Sequence, residues 1–332
     1  MLSLLRRAVS PFSRHPENPG LIWLDAPDAE QQIAARARAG SLTAEEAANL
    51  RKFAEDGYFI FPIDLSAEDA AVIDRDVDAL WRTRPANVAF AYDSPPRRFS
   101  AAVEAEHRKP RYRIHELHSV SETALRLYLD RQVHRYASLI LDDTAVANQS
   151  LYFEYGSQQA LHRDSVVVPT PQFGRLVAAW IALEDIAPES GPLMYVPGSQ
   201  RLPFYEFAPG RQVYDPAADA EADVHAAMAF YAEELERSRL PVKQFLARRG
   251  EVLFWHSALT HGGAPQTDPR RTRKSFVVHF STLKTQPTRE CAVREVVDGV
   301  DGDSVFSTAE LYEREGAFGF TNPLHSKLMY RR

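Results

Sequence analysis

Leu176-Val177-Ala178-Ala179-Trp180-Ile181-Ala182-Leu183 is a continuous apolar run of one strand's length. Polar residues do not alternate into it, as they would on a strand with one wet face, so it reads as a strand buried on both sides. Its surroundings have the same texture. Upstream, Leu151-Tyr152-Phe153-Glu154-Tyr155 alternates in the manner of a strand. Downstream, Glu189-Ser190-Gly191-Pro192 is turn chemistry, Leu193 to Val196 is a further strand ended by Pro197-Gly198, and Gly250 introduces another from Glu251 to His256. Ser275 to Ser281 is the last clear strand, and residues 216–238, rich in Ala and Glu, read as a helical insertion. Several short strands with one such insertion predict a closed or sandwiched β core.

The chain before this region reads as helical scaffold. Thr43 and Glu46 have the spacing of a capping box, Ala47, Leu50 and Phe53 form the stripe behind it, and Gly57 supplies the stop. Tyr58 to Phe61 is a short strand. Ser66 caps the next helix, whose Ile73, Val77, Leu80 and Trp81 recur on one face. Residues 114–141 read as a turn and one long helix, with His115, His118 and His134 as structural or surface residues. Residues 1–40 lack a firm period and are expected to form a peripheral segment, 41–285 a single domain with its β core over about 145–285, and 286–332 an extension packed on the outside. Residues 84–112 break aromatic and basic residues with prolines (Pro85, Pro95, Pro96, Pro110). Such a segment is either a lid or simply mobile. Its arginines either meet an anionic group on a substrate or are solvated.

Composition narrows the function classes. The 332 residues are 45% hydrophobic and 25% charged, as in an ordinary globular protein with a full core. A formal net charge of −6 argues against a general nucleic-acid binder. One cysteine, Cys291, excludes an intramolecular disulfide framework and fits a reducing, cytoplasmic setting. No apolar run reaches the roughly 18 residues of a membrane span. Oligomeric state is not legible.

The chemistry begins at Leu161-His162-Arg163-Asp164. At a strand end, residues i and i+2 share a face, so His162 and Asp164 would offer an imidazole nitrogen and a carboxylate oxygen to one point. That is two thirds of a two-histidine, one-carboxylate metal site, the donor set that suits non-haem Fe(II) and O2. The third donor is expected in His261 of Leu259-Thr260-His261-Gly262-Gly263, where the glycines permit close approach of backbone or small ligands. His256 competes, but five residues earlier on a straight strand it faces the other way. Without a metal the three would be a buried polar triad, and an aspartate is rarely buried without a partner. A dicarboxylic 2-oxo acid chelated at such a site leaves a distal carboxylate, which a guanidinium grips in two places. Arg273 opens Arg273-Lys274-Ser275, with Ser275 as a second donor on the same strand face. Arg270 and Arg271 are the alternatives, on a turn made by Pro269.

These pieces, in this order, resemble the phytanoyl-CoA dioxygenase family of Fe(II)/2-oxoglutarate oxygenases. The resemblance runs over about residues 40–285. It is carried by His162-Arg163-Asp164, Trp180 to Asp185, Gly191-Pro192-Leu193, Pro197-Gly198-Ser199, Gly250-Glu251, His256, His261-Gly262, Arg273-Lys274-Ser275 and His279-Phe280. It implies a mainly β fold with flanking α: a double-stranded β-helix (jelly-roll) core with N-terminal helices and a helical insertion. It implies His162, Asp164 and His261 as iron ligands, Arg273 as the 2-oxoglutarate anchor, and Trp180 as a lining residue of the cosubstrate pocket. The activity implied uses Fe(II), 2-oxoglutarate and O2 to hydroxylate an unactivated C–H of a small molecule, releasing succinate and CO2. Relatives that halogenate replace the carboxylate ligand with a small residue, so Asp164 favours hydroxylation. Two other readings stand beside it: a β-helix protein that binds a metal or small ligand without oxidative catalysis, and a metal-dependent hydrolase or isomerase. The substrate class is not legible.

Overall fold

The computed structural model describes residues 22–83, 89–92, 98–100, 108–168, 170–215, 218–297 and 300–321. Its helices are α1 (Ala29–Arg38), α2 (Ala44–Asp56), α3 (Ala67–Thr83), α4 (Glu122–Tyr128), α5 (Arg131–Leu141), α6 (Asp164–Val167) and α7 (Glu221–Ser238). Its strands are β1 (Tyr58–Pro62), β2 (Ala89–Tyr92), β3 (Arg98–Ser100), β4 (Arg113–His115), β5 (Ala145–Phe153), β6 (Val177–Ala182), β7 (Leu193–Tyr195), β8 (Lys243–Phe245), β9 (Glu251–His256), β10 (His261–Gly263), β11 (Ser275–Thr282), β12 (Glu290–Val297), β13 (Val300–Thr308), β14 (Glu310–Arg314) and β15 (Ala317–Thr321).

The large sheet runs β1-β9-β6-β11-β5-β4-β2-β3, antiparallel along this whole path. A small antiparallel sheet, β10-β7-β8, faces it. Between the two lies a core shared by both, with Trp180, Leu253, Trp255 and Val277 from the large sheet and Tyr195 and Phe245 from the small one. This is the double-stranded β-helix.

The apolar run from Leu176 to Leu183 contains β6. All six of its residues are buried, because it is flanked by β9 and β11 and covered on both faces. Alternation decides which side chain goes where. Ala178, Trp180 and Ala182 join the core between the sheets, whereas Val177, Ala179 and Ile181 join the larger core under the helices. The same division holds along β11, with Val277 inward and Phe276, Val278 and Phe280 against the helices. Helix α2 forms as its sequence dictates. Thr43 Oγ1 accepts from Glu46 N at 3.1 Å, Glu46 answers by accepting from Thr43 N at 2.8 Å, and Gly57 ends the helix at φ 78°.

Several expectations need correction. Residues 114–141 are not one long helix. They form β4, a 3-10 turn, α4 and α5, because the Asp130 carboxylate caps a new helix by accepting from the amides of Gln132 and Val133 at 3.0 and 2.9 Å. Within the segment expected to be peripheral, α1 is a regular helix, and Ile22, Leu24 and Ile33 belong to the main core. The extension after residue 286 does more than pack on the outside. β12 and β13 form a hairpin, and β15 adds to the large sheet by pairing parallel with β5.

Of the segment 84–112, residues 84–88, 93–97 and 101–107 lie outside the described residues. Strands β2 and β4 extend the large sheet, and Arg108, half-buried, is ion-paired within the chain. It pairs with Asp78 at 2.7 Å and with Glu154 at 2.9 Å. His118 is structural: its ring sits between Ser150 Oγ at 2.7 Å and the Phe320 carbonyl at 2.9 Å, stacked on Tyr128. No helix among the described residues is long and apolar enough to cross a membrane.

His134 is buried on α5, edge-on to Phe280, and burial pushes its pKa down to about 4. A histidine with a folded pKa near 4 and an unfolded one of about 6.5 takes up a proton on unfolding between those values. The stability it supports is fully present above pH 6.5 and is lost as pH falls towards 4. Melting followed by circular dichroism from pH 7 to 4.5 should therefore show a shallower fall of Tm in His134→Gln than in the native protein. Equal slopes would contradict this placement of the charge.

Candidate metal centre

His162 and His261 are opposite residues of an isolated antiparallel bridge. They exchange both main-chain hydrogen bonds, His162 N to His261 O at 2.8 Å and His261 N to His162 O at 3.0 Å. Directly opposed residues of such a pair project to the same side, and the two imidazoles lie with ring centroids 4.5 Å apart. The bridge therefore continues the small sheet by one residue pair and joins two ligand-type side chains from distant parts of the chain.

Asp164 arrives differently from the strand-end geometry anticipated. β5 ends at Phe153, a loop intervenes, and Asp164 is the first residue of the single-turn helix α6. That turn is pinned by Ser165 N donating to Ser257 O at 3.0 Å. The convergence nevertheless holds: one ligand atom each from His162, Asp164 and His261 lie within 4.8 Å of one another.

The protonation pattern follows from the backbone. His162 Nδ1 is 2.8 Å from the Ala160 carbonyl, and His261 Nδ1 is 2.9 Å from the Leu259 carbonyl. A carbonyl can only accept, so each Nδ1 carries a hydrogen, and in the neutral ring Nε2 is the nitrogen left with a lone pair for a metal. Such a hydrogen bond from the far ring nitrogen is the usual way a ligating histidine is oriented. Burial pushes the His162 pKa down to about 4, with the neighbouring His261 acting in the same direction, so the ring is a neutral donor at ordinary pH.

The Asp164 carboxylate is divided between two tasks. Oδ2 accepts from the Trp255 indole Nε1 at 2.8 Å and faces His279 Nε2 at 3.4 Å. Oδ1 is left facing His261 Nε2 at 3.5 Å and His162 Nε2 at 3.8 Å. Burial alone would raise its pKa, but the imidazoles of His261, His279 and His162 outweigh that and hold the carboxyl below the usual range. Two imidazole nitrogens and one carboxylate oxygen aimed at a common point fit a divalent transition metal.

His256, the competitor, is not part of this group. Its Nδ1 accepts from Ala258 N at 2.9 Å and its Nε2 faces Asp25 Oδ2 at 3.2 Å, which ties the N-terminal turn to β9.

Arg273 lies between the sheets, 2% exposed. Its neighbours in sequence turn the other way: Thr272 Oγ1 and Lys274 N both donate to Glu184, at 3.0 and 2.8 Å. Arg273 Nη1 donates to Ser275 Oγ at 3.1 Å, and the guanidinium carbon sits 5.4 Å from the rings of both Phe153 and Trp180. Burial pushes its pKa down to about 10, which still leaves a cation at neutral pH. Its Nε and the Trp180 indole Nε1 have no hydrogen-bond partner among the described residues. A buried guanidinium with a spare donor, walled by two aromatic faces and a serine, fits an anionic ligand. Arg270 is instead a surface residue paired with Asp268 at 2.9 Å, and Arg271 is exposed.

Sequence reasoning did not single out Trp255, and it noted His279 only as part of a motif. His279 carried a signal, being the one ionisable residue of its strand and placed on the inward row Ser275, Val277, His279. Trp255 carried none that separates it from a core aromatic.

Fold and cluster together define a double-stranded β-helix protein with a two-histidine, one-carboxylate centre held between its sheets. Residues 53–274 match the family model described as phytanoyl-CoA dioxygenase (PhyH). The chain belongs to the phytanoyl-CoA dioxygenase family. Among curated relatives it is similar to phytanoyl-CoA dioxygenase domain-containing protein 1 of Bos taurus, 25% identical over 170 residues, covering 50% of this chain and 55% of the relative. The Mus musculus protein of the same name is 25% identical over 139 residues, covering 41% and 44%. The chain thus spans about half the length of the curated relatives it matches. Among solved structures it is similar to SnoK, a non-heme alpha ketoglutarate dependent carbocyclase from nogalamycin biosynthesis. The TM-score is 0.55 at 18% identity, covering 86% of this chain and 98% of that one. It is also similar to EctD from S. alaskensis with 2-oxoglutarate and 5-hydroxyectoine, with a TM-score of 0.50 at 21% identity, covering 74% and 78%. At these identities the likeness is one of fold.

The glycines after His261 do serve close approach, but of the chain's own loop. A Cβ on Gly262 would stand 2.8 Å from the Gln159 carbonyl, and one on Gly263 would stand 2.6 Å from both Gln158 N and Ser157 Oγ. That loop delivers His162. Gly263→Ala is predicted to lower stability by about 1–3 kcal/mol through overpacking, read as a drop in the urea midpoint. It should also weaken divalent-metal binding, because the loop that carries His162 must shift. Native values of both would contradict the account.

Proposed function

We propose that this protein is an Fe(II)/2-oxoglutarate-dependent oxygenase that hydroxylates an unactivated C–H bond of a small molecule. The observation that carries the reading is the joint presence of two things between the sheets. One is the converging Nε2, Nε2 and Oδ1 of His162, His261 and Asp164; the other is the buried, incompletely satisfied guanidinium of Arg273. Family membership supports it, as does the fold likeness to EctD solved with 2-oxoglutarate.

In this reading His162, Asp164 and His261 hold Fe(II). Arg273 and Ser275 hold the distal carboxylate of 2-oxoglutarate, and Trp180 forms a wall of that pocket. Bound there, iron and cosubstrate supply the oxidising chemistry: O2 and 2-oxoglutarate are consumed, succinate and CO2 are released, and one oxygen atom becomes the substrate hydroxyl. The chain's own contribution is arrangement. The Ala160 and Leu259 carbonyls fix which imidazole nitrogen donates. Trp255 and His279 occupy one carboxylate oxygen and leave the other for the metal. The apolar inward residues Leu253 and Val277 keep water from the charged groups, which strengthens their interactions. A carboxylate at position 164, in place of a small residue, favours hydroxylation over halide transfer.

Anaerobic addition of Fe(II) and 2-oxoglutarate should produce the visible charge-transfer band of a keto acid chelated to iron, and His162→Ala should abolish it. A native protein without the band would sink the proposal. Arg273→Gln should raise the 2-oxoglutarate concentration needed for the band by about 10- to 100-fold, the loss expected for a charged hydrogen bond, without changing metal affinity. In air, succinate release stimulated by candidate small molecules separates an oxygenase from a protein that only binds.

A further inference from the structure

Arg163 stands between two members of the cluster, yet it points away from them. It is 0% exposed. Its guanidinium is held by neutral groups: Nη1 donates to the carbonyls of Leu202 at 3.2 Å and Pro203 at 2.9 Å, and Nε reaches Thr260 Oγ1 at 3.4 Å. The charge rests on aromatic faces, 4.4 Å from the Tyr231 ring and 5.5 Å from that of Phe204. Nη2 has no hydrogen-bond partner among the described residues.

A cation buried in this way is a poor source of stability, because an apolar side chain of similar volume would fill the space without the desolvation cost. What the arginine gains is reach. Thr260 immediately precedes His261, and its own amide is fixed by Ser199 Oγ at 2.8 Å. Leu202 and Pro203 lie in the segment after β7. Tyr231 lies on α7, the helical insertion, and its hydroxyl accepts from Tyr205 N at 3.2 Å. Val166, two residues after Asp164, packs with Ala227 and Tyr231 of the same helix. Helix α7 therefore grips the Asp164 turn from both sides, by Arg163 before it and Val166 after it.

We propose that Arg163 is a positioning residue: through Thr260 and Tyr231 it locks the His162–Asp164 segment to the strand bearing His261 and to the docked helix α7, and so sets the metal affinity of the cluster. The proposal rests on the metal-site reading above. Outer groups that orient ligands in this way typically alter metal affinity 10- to 100-fold, roughly, when removed. The cation–π contact gives the link a chemical signature, since it needs both a positive charge and a ring.

The test is a titration of the full chain with Co(II), followed by its visible d–d absorption. Arg163→Met should raise the Co(II) Kd about 10- to 100-fold and change the band shape, while the melting temperature stays near native. Arg163→Lys, which keeps the charge, should recover part of the affinity. Tyr231→Leu should raise the Kd several-fold, whereas Tyr231→Phe, which keeps the ring, should leave it near native. Native Kd and spectrum in Arg163→Met would overturn the proposal. So would a Kd that rises only in proportion to lost thermal stability. Should Arg163→Met not fold, Tyr231→Leu decides, and a native Kd there overturns the coupling. A native chain that binds no Co(II) would overturn the metal reading itself, an outcome distinct from tight native binding that Arg163→Met leaves unchanged.

Discussion

A carboxylate with no access to water is expensive unless something nearby favours its charge. Asp164 meets that condition at Oδ2 with an indole N–H and the facing His279 imidazole, while Oδ1 faces the Nε2 lone pairs of His162 and His261, an arrangement that a cation between them would satisfy. Much of the local architecture follows from satisfying it. Trp255 and His279 must be inward residues of β9 and β11, level with each other on either side of β6. The Asp164 turn must be pinned to the segment between β9 and β10. The two histidines must sit opposite each other in a backbone bridge. Each requirement fixes a tertiary contact, and a bound divalent cation would complete the set.

The two faces of the large sheet divide the labour. One face is apolar and carries the helices, so it holds the fold together through residues such as Phe254, Phe276 and Phe280. The other face carries polar residues in a single row along β11 and its approach: Arg273, Ser275 and His279. A period of two lets one strand serve both purposes without compromise. Lys274, Thr272 and Glu184 reinforce the division by drawing the alternate polar groups to the outside.

How much of this was legible in the sequence depended on whether the information was local. The apolar run of β6, the Thr43–Glu46 capping box and the strand preceding His256 are fixed by neighbouring residues and came out as read. So did the grouping of His162, Asp164 and His261, though by a route the sequence did not reveal. Strand periodicity suggested a strand end for His162 and Asp164; the chain instead uses a bridge and a helical turn, both made by contacts with residues 257–261. Asp130 split a helix that apolar periodicity made continuous, because a side-chain cap outweighs a pattern that merely permits continuation. The roles of Trp255 and Arg163 were invisible for a similar reason. Each acts through partners remote in sequence, and each looks locally like ordinary core or surface.

The central claim is that His162 Nε2, Asp164 Oδ1 and His261 Nε2 form one metal site, with Arg273 holding the far end of the cosubstrate. Anomalous diffraction at the iron edge, from crystals grown anaerobically with Fe(II) and 2-oxoglutarate, addresses it most directly. The account predicts a single strong peak within bonding distance of those three atoms, and a 2-oxoglutarate carboxylate in contact with Arg273. Iron bound through Asp164 Oδ2 and His279, or through His256, or a cosubstrate carboxylate held by Arg270 or Arg271, would contradict it.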